Sequence, residues 1–219
     1  MKFRILSHHF FNKIILISFC FLFELQAQPK EEIIYQNLSV ALKTPNEVRI
    51  LDLSRKQLTT LPKEIGQLVN LERLNLRDNK LTNLPEEIGE LENLKILDIT
   101  RNKISTFPKE FWKLKNLEVL LLNGNSLSNL PEEIGELEKL GILYLNNNQL
   151  TTLPKEIGRL ENLVSLSLSS NKLTSIPDEL GQLKKLRILN LWDNPTLTTP
   201  ERNIRKLFRN QEITIEISP

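Results

Sequence analysis

The sequence predicts a right-handed α/β solenoid, with a parallel sheet on its concave face and short helices or 3-10 turns on its convex face. The first observation is that the pair L-x-L recurs every 23 residues without a slip. The second is that most units repeat asparagine, proline and glycine at fixed offsets from this pair. A fixed period of this length is typical of stacked units that bury one continuous core. The pairs are Leu51/Leu53, Leu74/Leu76, Leu97/Ile99, Leu120/Leu122, Leu143/Leu145, Leu166/Leu168 and Leu189/Leu191.

The alternation within L-x-L predicts a short strand whose two leucines point to the same face. Stacked units place these strands side by side, so the leucines form a shared core. An asparagine follows the strand, and its inward amide can bond to backbone groups of neighbouring turns that would otherwise be buried without partners. The first unit has Lys56 at this place, as expected where one neighbour is missing. The asparagines are Asn79, Asn102, Asn125, Asn148, Asn171 and Asn194.

The return segment of six units begins with proline, which predicts a short helix with proline in its first turn. Five units carry a glycine four residues later, where little room or an unusual backbone angle is expected. The third unit has Trp112 in place of this glycine. Because tryptophan cannot fit a glycine-sized space, we expect Trp112 to project along the convex side. Packing against the neighbouring turn is favoured there over a second contact point for a partner. The prolines are Pro62, Pro85, Pro108, Pro131, Pro154 and Pro177.

Both ends of the chain deviate from the repeat, as the ends of a solenoid must. We predict a signal peptide at residues 1–27, a helical cap at 28–47, seven repeats at 48–210 and a capping strand at 211–219. In the first cap, residues 31–43 place an apolar stripe on one side of a helix that ends before Pro45. In the second cap, Ile213, Ile215 and Ile217 alternate as in an eighth strand.

The N-terminal segment is typical of a secretory signal peptide. Lys2, Arg4 and Lys13 form a basic region, and the apolar run at residues 14–23 is too short to cross a bilayer as a helix. Ala27 supplies a small residue at the cleavage point. An uncleaved anchor or a buried core helix is the alternative. The segment indicates a secreted or cell-surface protein, with the periplasm as a further destination.

Scarce residue types limit the chemistry of the chain. The only cysteine is Cys20, and the only histidines are His8 and His9. Cleavage near Ala27 therefore excludes thiol and imidazole catalysis and Cys/His zinc sites, and we expect no enzyme activity, metal or cofactor. Lipidation of Cys20 is the one route by which we expect membrane attachment. It is disfavoured because Phe19 stands where lipoprotein signals have a small residue.

The charge of the chain argues against nucleic acid as a partner. The formal net charge is +2, and it comes from the N-terminal 27 residues, so the remainder is neutral. No basic stripe with interleaved aromatic residues is present. A basic cluster near the C-terminal end favours a solvated cap, with acidic glycan binding as a weaker alternative. Its members are Lys184, Lys185, Arg187, Arg202, Arg205, Lys206 and Arg209.

The units share the pattern L-x-x-L-x-L-x-x-N-x-L-x-x-L-P-x-E-I-G-x-L-x-N, and Leu71 to Asn93 matches it throughout. This pattern resembles leucine-rich-repeat proteins of the 23-residue class over about residues 48–210. With the signal peptide, the chain resembles the secreted leucine-rich-repeat proteins of spirochaete bacteria. That resemblance implies a surface or released protein that contacts host molecules. The repeat also resembles that of intracellular leucine-rich proteins that bind small GTPases, so an intracellular or periplasmic scaffold is the alternative.

The outward residues of the strands form the candidate recognition surface. Its centre is an apolar patch with polar edges, which is typical of a protein-binding face. Strand propensity explains the isoleucine and valine column by itself, whereas Leu121 beside Tyr144 is balanced between propensity and binding. Trp192 is either an exposed anchor or, as we slightly favour, a cover for the irregular last repeat. The candidate binding residues are Arg73, Arg77, Ile96, Asp98, Val119, Leu121, Asn123, Ile142, Tyr144, Asn146 and Trp192.

These observations together predict an exported, non-catalytic and monomeric module that binds a protein partner, with a host surface protein as the implied class. In the apolar patch, replacing Leu121 and Tyr144 by aspartate should abolish binding and leave the fold intact. Replacing the inward Leu122 by aspartate should instead unfold the middle of the array, since it buries a charge.

Overall fold

The computed structural model describes residues 32–217. The predicted signal peptide, with Cys20, lies outside the described residues, as do residues 28–31 of the predicted cap and residues 218–219. The described chain forms one parallel sheet of nine strands that follow each other in chain order. The strands are β1 (Ile34–Tyr35), β2 (Ile50–Asp52), β3 (Arg73–Asn75), β4 (Ile96–Asp98), β5 (Val119–Leu121), β6 (Ile142–Tyr144), β7 (Ser165–Ser167), β8 (Ile188–Leu191) and β9 (Thr214–Ile217).

The 23-residue period fixes the register of the sheet. From β2 to β8, each residue pairs with the residue 23 positions further along, as Leu74 does with Leu97 and Leu97 with Leu120. The inward leucines therefore stack in columns and are almost completely buried. Because no unit closes its own core, each strand is held by its two neighbours, and the predicted fold class is confirmed.

Short 3-10 helices return the chain on the opposite side of the core. They are η1 (Pro45–Glu47), η2 (Lys63–Gln67), η3 (Glu86–Glu90), η4 (Lys109–Lys113), η5 (Glu132–Glu136), η6 (Lys155–Arg159) and η7 (Asp178–Gln182). In η2 to η7 the proline is the N-cap residue, one position earlier than a place in the first turn. Its carbonyl accepts the first hydrogen bond of the helix, as Pro62 does from the Ile65 N–H at 3.1 Å.

Close contact between successive 3-10 helices requires glycine. A Cβ atom on Gly89 would lie 2.5 Å from the Glu110 carbonyl oxygen in the next unit, so any side chain there would force the neighbouring backbone to shift. Trp112 replaces the glycine in η4, and η4 accordingly packs less closely on η5 than its neighbouring pairs pack on each other. Trp112 does not project outward: it is 5% exposed and packs edge-on against Phe107 and Phe111. The local-packing interpretation holds, and the contact-point alternative is wrong.

The start of the described chain differs from the predicted helix over residues 31–43. Ile34 and Tyr35 form β1, which pairs with β2, and only α1 (Leu38–Ala41) is helical. Asn37 caps α1, because its side-chain oxygen accepts a hydrogen bond from the Val40 N–H at 3.1 Å. The open edge of β2 offers backbone hydrogen-bond partners, and isoleucine and tyrosine both favour strands.

The C-terminal side of the array ends with a helix and a strand. The helix α2 (Glu201–Leu207) buries Ile204 against the core, and β9 follows it and pairs with β8. This last strand is the ninth of the sheet and not the eighth, because β1 also belongs to it. The core is covered at both ends of the stack by elements that depart from the repeat, as a solenoid requires.

The asparagine column has the predicted structural role. Asn125 Nδ2 donates to the carbonyl oxygens of Ile99 and Leu122 at 3.0 Å each, and its Oδ1 accepts from the Ile104 N–H at 2.9 Å. The other asparagines make the same three bonds with equivalent residues. Each amide thus joins its own unit to the preceding one, and the prediction is confirmed.

Candidate binding surface

The strand register places the predicted binding residues on one face, the side of the sheet opposite the leucine core, which we call the outer sheet face. Leu121 of β5 lies directly between Asp98 of β4 and Tyr144 of β6. In the adjacent column, Val119 lies next to Ile142. The sequence-predicted patch is therefore contiguous in the structure.

The patch is less exposed than the sequence indicated. Val119 and Ile142 are only 8% exposed, so they are buried members of the sheet and offer little surface to a partner. Ile96, Leu121 and Tyr144 are half-buried. Neighbouring strands lie about 4.8 Å apart, so the flanking side chains cover the β-branched column. The accessible apolar surface therefore reduces to Leu121, Tyr144 and Ile96, which we call the apolar patch.

Leu121 and Tyr144 stand where other units need a polar acceptor. In four units, the side chain between the two inward residues accepts a hydrogen bond from the backbone N–H two positions later, as in an Asx turn. The bonds run to Asp52 from Ser54 (2.8 Å), to Asn75 from Arg77 (3.0 Å), to Asp98 from Thr100 (2.8 Å) and to Asn190 from Trp192 (2.9 Å). Leucine cannot accept such a bond, and the phenol of Tyr144 lies too far along its side chain.

In the units of Tyr144 and Ser167, an asparagine of the preceding unit supplies this acceptor. Asn123 Oδ1 accepts from the Asn146 N–H of the next unit at 2.9 Å, and Asn146 Oδ1 accepts from the Ser169 N–H at 2.8 Å. Asn146 Oδ1 also accepts from the hydroxyls of Ser167 and Ser169. We predicted Asn123 and Asn146 as binding residues; the structure shows that their side-chain oxygens are used within the sheet. A comparison of the outward columns could have revealed this exchange in the sequence.

Trp192 is exposed. It leaves 46% of its surface accessible at the end of β8, so it does not serve as the cover that we favoured from the sequence. Its backbone is fixed on both sides, since its N–H donates to Asn190 and its carbonyl accepts from the Ser170 N–H at 2.9 Å. An anchored backbone with an accessible indole suits a contact residue. Trp192 lies two strands from the apolar patch, about 10 Å away.

A charged cluster lies beside the apolar patch, at the ends of β2 to β4. Asp78 accepts from Arg77 Nε at 3.3 Å and from Arg55 Nε at 3.4 Å, and Arg101 Nη1 lies 3.6 Å from its other carboxyl oxygen. Burial alone would raise the pKa of Asp78, but the hydrogen bonds from Arg77 and Arg55 and the charges of Arg77 and Arg101 outweigh it and hold the pKa below its ordinary value. Sequence reasoning identified Arg77 and Arg73 and missed Arg55 and Arg101.

The charged cluster sits on a column of left-handed backbone. Arg55, Asp78 and Arg101 have φ values of 57°, 55° and 56°, and the column continues through the later units. A left-handed conformation is costly for a long side chain and is easier for glycine, asparagine or aspartate. The later positions are Gly124, Asn147, Ser170 and Asp193. The 23-residue spacing makes this column visible in the sequence, but its backbone angle is not.

Three residues of the basic cluster at the C-terminal end contact other groups of the protein. Lys185 Nζ donates to Asn162 Oδ1 at 2.6 Å, Lys184 Nζ donates to the Gly181 carbonyl at 2.8 Å, and Arg205 pairs with Glu201 at 2.7 Å. These contacts support a solvated cap.

Among residues 32–217, no group of histidine, cysteine and acidic residues is arranged to hold a metal ion. In the same span, no helix has the length and apolarity to cross a bilayer.

The stacked units, the asparagine column and the outer sheet face define a leucine-rich-repeat solenoid, a class that presents side chains from a repeated parallel sheet. The chain belongs to the leucine-rich repeat family, since the model for the leucine-rich repeat region matches residues 32–127 and 119–213. The resemblance indicated by the 23-residue pattern is thus confirmed.

Solved structures agree with the family. A leucine-rich repeat protein of the spirochaete Leptospira interrogans is 38% identical, with a TM-score of 0.67, over 84% of this chain and 57% of that chain. The ectodomain of the Arabidopsis thaliana receptor kinase GASSHO1/SCHENGEN3, in complex with CASPARIAN STRIP INTEGRITY FACTOR 2, is 32% identical, with a TM-score of 0.68. This second match covers 86% of this chain and 23% of the ectodomain. The chain thus spans less than two thirds of either relative. No curated protein matches it.

Proposed function

We propose that this protein is an exported, non-catalytic binding module whose outer sheet face docks a segment of a protein partner, with host surface proteins as the partner class. The observation that carries the proposal is the apolar pair Leu121 and Tyr144. This pair stands where four other units place a hydrogen-bond acceptor, and Asn123 of the preceding unit supplies the acceptor that Tyr144 does not. The fold therefore does not require these apolar side chains, whereas a partner surface would use them.

The mechanism is recognition by a surface that is formed before the partner arrives. Leu121 and Tyr144 are half-buried on paired strands, so they lose little side-chain freedom when a partner covers them. Their burial would supply most of the affinity, and the polar rim would exclude wrong partners. Trp192 extends the contact toward β8 as a second aromatic anchor.

Export and partner class rest on the N-terminal segment and on the family. The basic and apolar regions before Ala27 support secretion. The family supports protein binding, because the ectodomain of GASSHO1/SCHENGEN3 is in complex with CASPARIAN STRIP INTEGRITY FACTOR 2. Protease shaving of intact producing cells, followed by N-terminal sequencing, tests the location. We expect a mature start near Gln28 and loss of the protein on shaving; a protein that retains Met1 inside the cell would contradict export.

The binding proposal is tested with serine substitutions. Aspartate at positions 121 and 144 would add two charges beside Asp98, and the repulsion could disturb the sheet. Leu121→Ser with Tyr144→Ser avoids this and matches Ser167, the next residue of the same column. The control is Val164→Ser, which removes an exposed apolar side chain outside the outward columns.

The purified protein and both variants are screened against an array of secreted and cell-surface proteins, and hits are measured by surface plasmon resonance. We expect the double variant to lose at least tenfold in affinity and the control to lose less than twofold. Circular dichroism should be the same for all three proteins. Equal affinity of the double variant and the parent protein would contradict the proposal.

A further inference from the structure

We propose that Arg55, Arg77 and Arg101 form a receptor for carboxylates, so that the partner segment carries aspartate or glutamate next to the apolar side chain that docks on Leu121 and Tyr144. The apolar half of this statement rests on the proposed function. The arginine half rests on separate observations of charge, backbone conformation and position.

The first observation is an imbalance of charge. Three guanidinium groups face the single carboxylate of Asp78, at 3.3 to 3.6 Å. The side chains of Arg55 and Arg101 remain 78% and 67% exposed, so both guanidinium groups are accessible from solvent. Asp52 and Asp98, on the same face, accept hydrogen bonds from backbone N–H groups. The arginines therefore keep donors for an incoming anion.

The second observation is that the fold gains little from these arginines. Arg55 and Arg101 occupy left-handed backbone positions, which arginine adopts at a cost. Exposed ion pairs of the kind they form with Asp78 contribute little to stability. Three of the later units hold glycine, asparagine and serine at this column and keep the same conformation. The arginines are thus better explained by what their side chains bind.

The third observation is the position of the cluster relative to the apolar patch. The Arg101 N–H donates to the Asn123 carbonyl at 2.7 Å, and Asn123 lies two residues after Leu121. The cluster is therefore about one to two strand spacings from Leu121, or roughly 5–10 Å. An extended peptide advances about 3.3 Å per residue, so an acidic side chain two to four residues from an apolar one would reach both sites.

The chemistry of the cluster fits carboxylates. A guanidinium group presents paired N–H donors that match the two oxygens of a carboxylate. Asp78 holds the arginines in place before binding, which lowers the entropy cost of ordering three long side chains. The partner is therefore an acidic and apolar peptide segment, oriented with its acidic residues toward the units of β2 to β4.

The test is a selection with a random library of 12-residue peptides displayed on phage, against the full protein. The variant is the triple replacement Arg55→Gln, Arg77→Gln and Arg101→Gln. The matched control is Lys80→Gln, Lys103→Gln and Lys172→Gln, which removes the same charge from exposed positions outside the cluster. Enriched peptides are then synthesised, and their affinity is measured by fluorescence polarisation at low and high salt.

We expect the parent protein and the lysine control to enrich peptides with aspartate or glutamate two to four residues from an aromatic residue or leucine. The arginine variant should lose the acidic preference and bind such peptides at least tenfold more weakly, with a reduced salt dependence. Equal acidic enrichment by the arginine variant, or no acidic enrichment by the parent, would overturn the inference.

The selection also separates this inference from the proposed function. With Leu121→Ser and Tyr144→Ser, loss of the apolar preference alone would support both statements. If the apolar preference instead survives in that variant while the arginine variant loses the acidic one, the arginine receptor stands and the role of the apolar patch fails. If no peptide is enriched by the parent protein, both statements fail.

Discussion

Replacing Asn125 by alanine should cost the protein about 3 kcal/mol of its free energy of unfolding, and the structure explains how that figure arises. The Asn125 amide makes three hydrogen bonds to buried backbone groups: two to carbonyl oxygens and one to the Ile104 N–H. Alanine removes all three.

The three lost bonds are not equivalent. The Ile99 carbonyl keeps a bond from Asn102 Nδ2, and the Leu122 carbonyl keeps one from Asn148 Nδ2, at 3.0 Å each. Each carbonyl therefore loses one of two partners, at about 0.5–1 kcal/mol. The Ile104 N–H has no second acceptor among the contacts described, and an unpaired buried donor costs about 1–3 kcal/mol. The sum lies near 3 kcal/mol.

The assay is urea unfolding followed by circular dichroism, with hydrogen exchange of the Ile104 amide as a local probe. Asn116→Ala is the matched control, since the half-buried Asn116 side chain makes bonds near the surface. Its amide donates to the Glu92 carbonyl at 2.8 Å, and its oxygen accepts from the exposed Lys139 Nζ at 2.6 Å. We expect it to cost at most about 1 kcal/mol. Asn125→Asp keeps the acceptor for Ile104 but brings a carboxylate toward two carbonyl oxygens, so it should be no more stable than Asn125→Ala.

A cost of Asn125→Ala no greater than that of Asn116→Ala would contradict the structural role of the asparagine column. Exchange of the Ile104 amide that stayed as slow as in the parent protein would contradict it as well. Because a repeat array can unfold in parts, an unchanged dependence on urea concentration is needed before the two free energies are compared.

Three further outcomes are expected. Gly89→Ala should destabilise the protein by about 1–3 kcal/mol in urea unfolding, because its Cβ would meet the Glu110 carbonyl. Gly141→Ala is the control: its Cβ would have its nearest neighbour at 3.6 Å, so it should be neutral or slightly stabilising. Trp112→Ala should cost about 3–5 kcal/mol in the same assay, since it leaves a cavity in a buried aromatic cluster. A loss under about 1 kcal/mol would contradict the burial of Trp112. Asp78→Asn should be less stable than the parent near pH 6, and this difference should shrink as the pH falls below about 4. The folded pKa of Asp78 is depressed, so its contribution is present above the unfolded value and disappears when the carboxylate is protonated; a pH-independent difference would contradict this.

The sequence was sufficient for the features that the 23-residue period controls. A strict period makes residues 23 apart into neighbours, so the register of Leu74 on Leu97 and the asparagine ladder follow from spacing alone. It was not sufficient where a single contact outweighs the local pattern. Ile34 and Tyr35 fit the apolar side of a helix, yet they pair with the open edge of β2 and form a strand. The burial of Val119 and Ile142 depends on flanking side chains, which no column of residues reveals by itself.

Two groups of residues on the outer sheet face depart from the repeat, and together they predict how a partner segment is oriented. Leu121 and Tyr144 replace acceptors in the units of β5 and β6, and the arginines replace small residues in the units of β2 and β4. The unit of β7 has serine in all three outward columns, and its side chains bond within the sheet, as Ser167 and Ser169 do with Asn146. A partner that covers the departures and avoids the regular units would lie across β2 to β6. Its acidic end would then face the N-terminal units, which is the orientation that the peptide selection tests.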